Sequence, residues 1–240
     1  MSRRKVALGV LALVALAGCA GTGLGGAPAP SDEQLAQNAT YNWNSDADVT
    51  LNVTGQQYKT VATVNGTERV RLASTSGFAG RNPVQISAVQ FRYENGTVVA
   101  ADAIDVSTRN QRTVVDLPAA NGTFAYTGTA GARSVNAPLD FEGSHEVVLP
   151  AGMRASFPIF GDISPGGYET SVEDNRVHVR WSSLSNATVS AEYYLVRDLY
   201  IFAGLIGVLS LAAVGGVIYY RLRIRRLERE REEAGLDYEQ

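Results

Sequence analysis

From Asp48 onward the chain alternates apolar and polar residues with a period of two. Val49-Thr50-Leu51-Asn52-Val53-Thr54 does so strictly, as do Arg69-Val70-Arg71-Leu72 and Arg176-Val177-His178-Val179-Arg180-Trp181. Such runs read as half-buried strands, because successive side chains leave a strand on opposite faces. Between Ile86/Ala88 and Val89/Phe91/Tyr93 the apolar phase slips by one residue, which predicts a β-bulge. Asn65-Gly66, Asn95-Gly96 and Asn121-Gly122 fall between such runs and predict two-residue hairpins, since both central positions need positive φ. Pro150-Ala151-Gly152 and Pro165-Gly166-Gly167 mark later turns. Ser31-Asp32-Glu33-Gln34 has the form of a capping box over one or two helical turns. About ten to twelve short strands at this spacing predict an all-β fold, a β-sandwich, with the immunoglobulin-like arrangement as one form of it. The last of them, Thr188 to Val196, runs almost directly into an apolar stretch.

That stretch, Leu199 to Tyr220, is 22 residues without a charge. As a helix it reaches about 33 Å, enough to span a bilayer. Arg221, Arg223, Arg225 and Arg226 follow it at once, which places that end in the cytoplasm by the positive-inside rule. Tyr200, Tyr219 and Tyr220 sit at interface depth. Ala203/Gly207 and Ala212/Gly216 are small-xxx-small pairs, a weak signal for a helix–helix dimer. The tail pairs Arg229 with Glu233 and Glu228 with Arg231 at helical spacing, the pattern of a solvated helix.

A second apolar run, Val6 to Ala17, follows the basic start Ser2-Arg3-Arg4-Lys5. Twelve residues reach only about 18 Å, short of the roughly 30 Å hydrocarbon core, so an export signal is the better reading. Its end, Leu16-Ala17-Gly18-Cys19, resembles a prokaryotic lipobox, in which Cys19 carries a lipid; an incidental free Cys is the plainer alternative. Ser2-Arg3-Arg4 resembles, more loosely, a twin-arginine signal.

The chain therefore divides into a signal (1–18, with the lipobox ending at Cys19), a Gly/Pro linker (19–30), an extracellular β-sandwich (31–198), a transmembrane helix (199–220) and a charged cytoplasmic tail (221–240). The expected place is the plasma membrane, single-pass, with the N-terminal domain outside and held close to the bilayer. One lipid chain anchors only marginally beside a spanning helix, so the lipid would orient rather than retain the domain. Between Cys19 and Asp198 there are 18 acids and 12 bases, a net of −6 that the whole-chain value of −3 conceals. Outside the tail there is no basic cluster interleaved with aromatics, so nucleic acid is not an expected partner.

Candidate chemistry is sparse. One Cys and two His leave no basis for a disulfide or a zinc site. No nucleophile elbow, H-E-x-x-H, P-loop or dinucleotide signature is present, so no catalytic residue, metal ligand or cofactor is assigned. Six sequons lie in the exported part, at Asn38, Asn52, Asn65, Asn95, Asn121 and Asn186. Each is a candidate N-glycosylation site, although three are equally explained as turns before a strand. His178 shares a face with Arg176 and Arg180; this is an anion-binding stripe or, more commonly, an exposed face paired with acids on the next strand. His145 falls in the turn-like Gly143-Ser144-His145-Glu146.

Two lysines against 19 arginines, the acidic surplus and the signal just described are joined by Phe160-Gly161-Asp162-Ile163-Ser164-Pro165-Gly166-Gly167-Tyr168, by Tyr193 to Phe202 and by Arg231 to Asp237. In these the chain resembles an uncharacterised haloarchaeal membrane-anchored lipoprotein family. The resemblance implies a salt-rich cell surface and no particular activity. The expected function is a membrane-proximal binding or structural module for a protein or glycan partner. The alternatives are an accessory subunit of an envelope complex and an envelope hydrolase.

Overall fold

A computed structural model describes residues 29–75, 81–155 and 161–236. The chain separates into two compact units, one ending at Tyr193 and one starting at Tyr194. The signal and lipobox residues, Cys19 included, lie outside the described residues.

The first unit is mostly β-sheet. Its larger sheet has the order β12 (Asp162–Ser164), β14 (Arg176–Glu192), β10 (Ser134–Val148), β1 (Val49–Thr54), β2 (Gln57–Val64), β9 (Gly122–Thr129), β5 (Ile86–Arg92), β6 (Val98–Val99), and β13 (Glu169–Glu173) also pairs with β14. Within it β1 and β10 run parallel, and the other described pairs are antiparallel. The smaller sheet has the order β4 (Arg81–Pro83), β3 (Arg69–Thr75), β8 (Arg112–Asp116), β7 (Asp105–Arg109). A short strand, β11 (Met153–Arg154), follows the Pro150 turn.

The alternation seen in the sequence becomes burial. Val49, Leu51 and Val53 of β1, Phe124 and Tyr126 of β9 and Val177 and Val179 of β14 meet Val70 and Leu72 of β3 and Val115 of β8 in one apolar core. Two sheets sharing one core make the expected sandwich. A nine-stranded sheet facing a four-stranded one departs from the seven-stranded split of constant immunoglobulin domains.

Other expectations meet the structure with differences. The bulge on β5 is present: the β5–β9 register shifts between Ser87 and Gln90, and Ala88 takes φ 51°. Of the three Asn-Gly pairs only Asn95-Gly96 lies in a hairpin, between β5 and β6, and there in a loop over 93–97 with positive φ at Gly96 and not at Asn95, rather than in the two-residue turn expected. Asn65-Gly66 and Asn121-Gly122 instead carry the chain between the two sheets, because β2 does not pair with β3, nor β8 with β9. The two-residue hairpins with positive φ at both central positions are Asn110-Gln111, joining β7 to β8, and Asp174-Asn175, joining β13 to β14. The runs read as separate strands at 176–181 and from 188 are parts of one 17-residue strand, β14. It stays paired with the 15-residue β10 because register shifts absorb the bend at Leu139/Glu142 and Gly143/His145. Gly143 (φ +116°) and Asn186 (φ +46°) sit at those shifts.

Helix α1 (Asp32–Leu35) carries the predicted capping box, with Ser31 Oγ accepting from Gln34 N and Gln34 Oε1 accepting from Ser31 N. After it, residues 39–45 cross the outer face of the larger sheet as a strap outside the strand ladder. Side chains from the sheet hold its carbonyls: Gln90 Nε2 donates to Ala39 O, Lys59 Nζ to Thr40 O and an Arg92 guanidinium N–H to Trp43 O. Tyr41 is buried over Val61 and Ala125, and its hydroxyl lies 2.7 Å from Ala88 O and 2.9 Å from Thr127 Oγ1.

The second unit begins with β15 (Tyr194–Leu195) and continues as α2 (Val196–Leu236), a single 41-residue helix. Its stretch Val196–Arg231 is long and apolar enough to cross a membrane, and none of its most apolar window is buried. The apolar stretch and the charged tail are thus one helix. Among the described residues of the tail, Arg226 pairs with Glu230, one turn apart at 4.0 Å, and the side chain of Glu233 lies outside the described residues.

Candidate functional site

The strap leaves part of the larger sheet's outer face open beside it. There a groove of about 650 Å³ is bounded by Tyr41, Asn42 and Asp46 on the strap side, with β1, β2, β10 and β14 contributing the floor and far wall. A volume of this size falls in the range of small-ligand sites.

The far wall is the Arg176/His178/Arg180 face. These three side chains emerge together because Val177 and Val179 between them point into the core. The acids expected opposite are present. Glu146 of β10 is the register partner of Arg180. Its Oε1 accepts from Arg180 Nε at 2.8 Å and lies 2.9 Å from His178 Nδ1, which donates when it carries the proton. Arg180 also reaches Glu173 of β13 at 3.4 Å. Burial alone would raise the Glu146 carboxyl, but the hydrogen bonds from His178 and Arg180 outweigh it and hold the group below the usual carboxylate range. Glu146 is therefore an ionised acceptor with its donors in place, a poor general acid. The stripe is an ion-paired surface rather than an open anion site.

Arg176 is the exception in that face, since it forms no ion pair among the described residues. Its guanidinium donates to Leu149 O, Val53 O and Asn52 Oδ1 at 2.8, 3.0 and 2.7 Å, and so stitches β14 to β1 across β10. Burial lowers its affinity for the proton, without bringing it near neutrality.

This also sorts the sequons. Asn52 is half-buried under Arg176, while Asn38, Asn65, Asn95, Asn121 and Asn186 are exposed. Two of the exposed ones have structural work as well: Asn121 Oδ1 accepts from Gly66 N at 2.8 Å and Asn95 Oδ1 from Thr97 N at 2.9 Å.

His145 turns inward instead. It is buried, with Nδ1 2.9 Å from Gly143 O and Nε2 without a partner among the described residues. Burial lowers its pKa, so it is a neutral core side chain. Next to it Asp48 Oδ2 accepts from Ser144 N and Ser144 Oγ at 2.8 and 2.7 Å, and those bonds hold the Asp48 carboxyl low. Asp48 and Ser144 thereby lock the start of β1 to β10. They bond to each other directly, not through the His145 ring as a nucleophile–base relay requires. Among the described residues no group of three His, Cys, Asp or Glu side chains is placed to hold a metal ion.

On the span, Arg221, Arg223, Arg225 and Arg226 are exposed at the end of the apolar stretch, and Ala203, Gly207 and Ala212 are exposed along it, with Gly216 half-exposed. A basic surface absent from the sequence reading is formed by the smaller sheet, where Arg69, Arg71, Arg81, Arg109 and Arg112 line one cleft. The only sequence signals for it are the period-two pair Arg69/Arg71 and the turn-flanking pair Arg109/Arg112.

No curated protein matches this chain. Residues 45–239 match the model of DUF5803, described as a family of unknown function, and the chain belongs to that family.

Proposed function

We propose that this protein is a membrane-anchored surface module that binds a partner through its β-domain and performs no catalysis. The observation that carries the reading is one chain holding a β-unit with its own core and, three residues after β14 ends, an uncovered helix apolar enough to cross a bilayer. The polar groove beside the strap supplies a face for a protein or glycan partner, and the ion-paired state of Glu146 argues against its use in hydrolysis. In this reading Cys19 carries a lipid, Arg221 to Arg226 keep the tail in the cytoplasm, and the protein is a haloarchaeal cell-surface lipoprotein with glycans on some of the five exposed sequons.

Protease added to intact cells tests the topology. It should remove an epitope tag placed in the exposed Asn110-Gln111 turn while sparing a tag fused after Gln240. Protection of the first tag and loss of the second would reverse the orientation and with it the proposal.

A further inference from the structure

The outer face of the smaller sheet concentrates positive charge. In antiparallel pairs, directly opposed residues share a face. The registers Thr75↔Arg81, Arg71↔Val114, Arg69↔Asp116, Ser107↔Val114 and Arg109↔Arg112 therefore put five arginines from four strands on one side. Val70, Leu72 and Val115 occupy the other side and belong to the core. The result is a cleft of about 410 Å³ lined by Arg69, Arg71, Arg81, Arg109, Asn110 and Arg112 around Val114, which is only 6% exposed.

Few acids answer these cations. Asp116 pairs with Arg69 at 2.5 Å, and Asp105, opposite Asp116, is the other carboxylate of the face. Asp140 accepts from the backbone N–H of Arg71. The side chains of Arg71, Arg81, Arg109 and Arg112 form no ion pair or hydrogen bond among the described residues. Ser107, opposite Val114 on the same face, has a buried hydroxyl that is also unpartnered. Half of the ten arginines between Cys19 and Tyr193 thus converge on one cleft of a segment whose net charge is −6. Dispersed surface cations would pair with the surplus acids; of these five only Arg69 does so among the described residues.

We propose that this cleft binds a ligand carrying two neighbouring phosphate groups. Guanidinium forks match phosphate oxygens two at a time. With Asp105 set against the four unpaired arginines, about three positive charges stay unbalanced; one phosphate dianion falls short of that, whereas a diphosphate or bisphosphate meets it and offers oxygens to all four guanidinium groups. The volume leaves room for an organic group beside the phosphates. The same chemistry is offered by a soluble diphosphate and by a bisphosphate lipid headgroup. The site stands apart from the groove and does not depend on the anchored-module reading.

The test uses the full chain in phosphatidylcholine nanodiscs, titrated calorimetrically with inorganic pyrophosphate and with orthophosphate. Pyrophosphate should bind more tightly than orthophosphate, and more weakly as sodium chloride is raised. The pair Arg71→Ala/Arg112→Ala should lose about tenfold or more in pyrophosphate affinity, the scale of one or two charge-assisted hydrogen bonds. Arg154→Ala, away from the cleft, should bind like wild type. If the alanine pair misfolds by circular dichroism, Arg71→Lys/Arg112→Lys keeps the charge and should still bind more weakly than wild type, for want of the forks. Adding cardiolipin to the discs separates the sources: arginine-dependent competition with pyrophosphate means a lipid headgroup, and unchanged affinity means a soluble ligand. No pyrophosphate binding by wild type, or equal binding by wild type and a folded cleft variant, would overturn the site.

Discussion

Two neighbouring residues on β10 show how one position of difference sets opposite chemistry. Glu146 faces out and is held ionised by His178 and Arg180; His145 faces in and is held neutral by burial. Replacing Glu146 with Gln keeps the shape but removes the charge both donors use. Stability in urea should fall by about 1–2 kcal/mol, the range for hydrogen bonds to a charged group at a partly exposed site. The pH dependence follows from His145. Its folded pKa lies below the ordinary 6.5, so at pH values between the two the unfolded chain holds more protons than the folded one. Its contribution is complete above 6.5 and is lost as pH falls toward the folded value; Asp48, the charged group beside it, opposes the shift only in part. Urea midpoints should therefore drop between about pH 7.5 and about pH 5.5, and His145→Leu should flatten that drop. An unchanged slope in the variant would remove His145 as its cause.

At the scale of elements, local signals state where strands are but not which strands meet. Asn-Gly specifies a turn's dihedrals. Whether the chain then folds back beside itself or crosses to the other sheet is set by which apolar faces must be buried, and so two of three such turns became crossovers. Of the turns that do form tight hairpins, Gly55-Gln56 between β1 and β2 carries a glycine, whereas Asn110-Gln111 and Asp174-Asn175 lack one and carry a weaker signal. Close packing is equally hidden. Gly128 of β9 lies opposite Tyr58 of β2, and a Cβ there would collide with the Tyr58 ring. Tyr58 is buried and stands edge-on to Tyr126 with centroids 6.3 Å apart, so the ring has little room to retreat. Gly128→Ala should destabilise the β-domain by about 1–3 kcal/mol, the range for overpacking, as read in thermal or urea unfolding. A neutral result would show that the ring swings aside.

For the whole molecule, the two anchors of the proposed reading would carry unequal weight. A spanning helix holds a protein in the bilayer far more firmly than one acyl chain. Cys19→Ala should leave an unprocessed, unlipidated precursor that remains in the membrane fraction, while removal of 199–240 should leave a protein that depends on the lipid alone. A Cys19→Ala protein with unchanged mass would show that the cysteine is not modified.

Short-range pattern determined much of this protein from sequence alone. Period-two alternation marked β1, β3 and the start of β14, a phase slip marked the β5 bulge, and an uncharged run marked the helix long and apolar enough to cross a membrane. Each of these depends on residues within a few positions of one another, so each is readable in line. The ion-paired face was half legible: Arg176, His178 and Arg180 are adjacent in sequence, but Glu146 lies more than thirty residues away. Only the tertiary structure decided that β1 lies parallel to β10, that Arg176 reaches Asn52, and that arginines from positions 69 to 112 share one cleft. Those outcomes depend on sheet register and on burying two apolar faces against each other. That is a long-range balance no single stretch of chain contains.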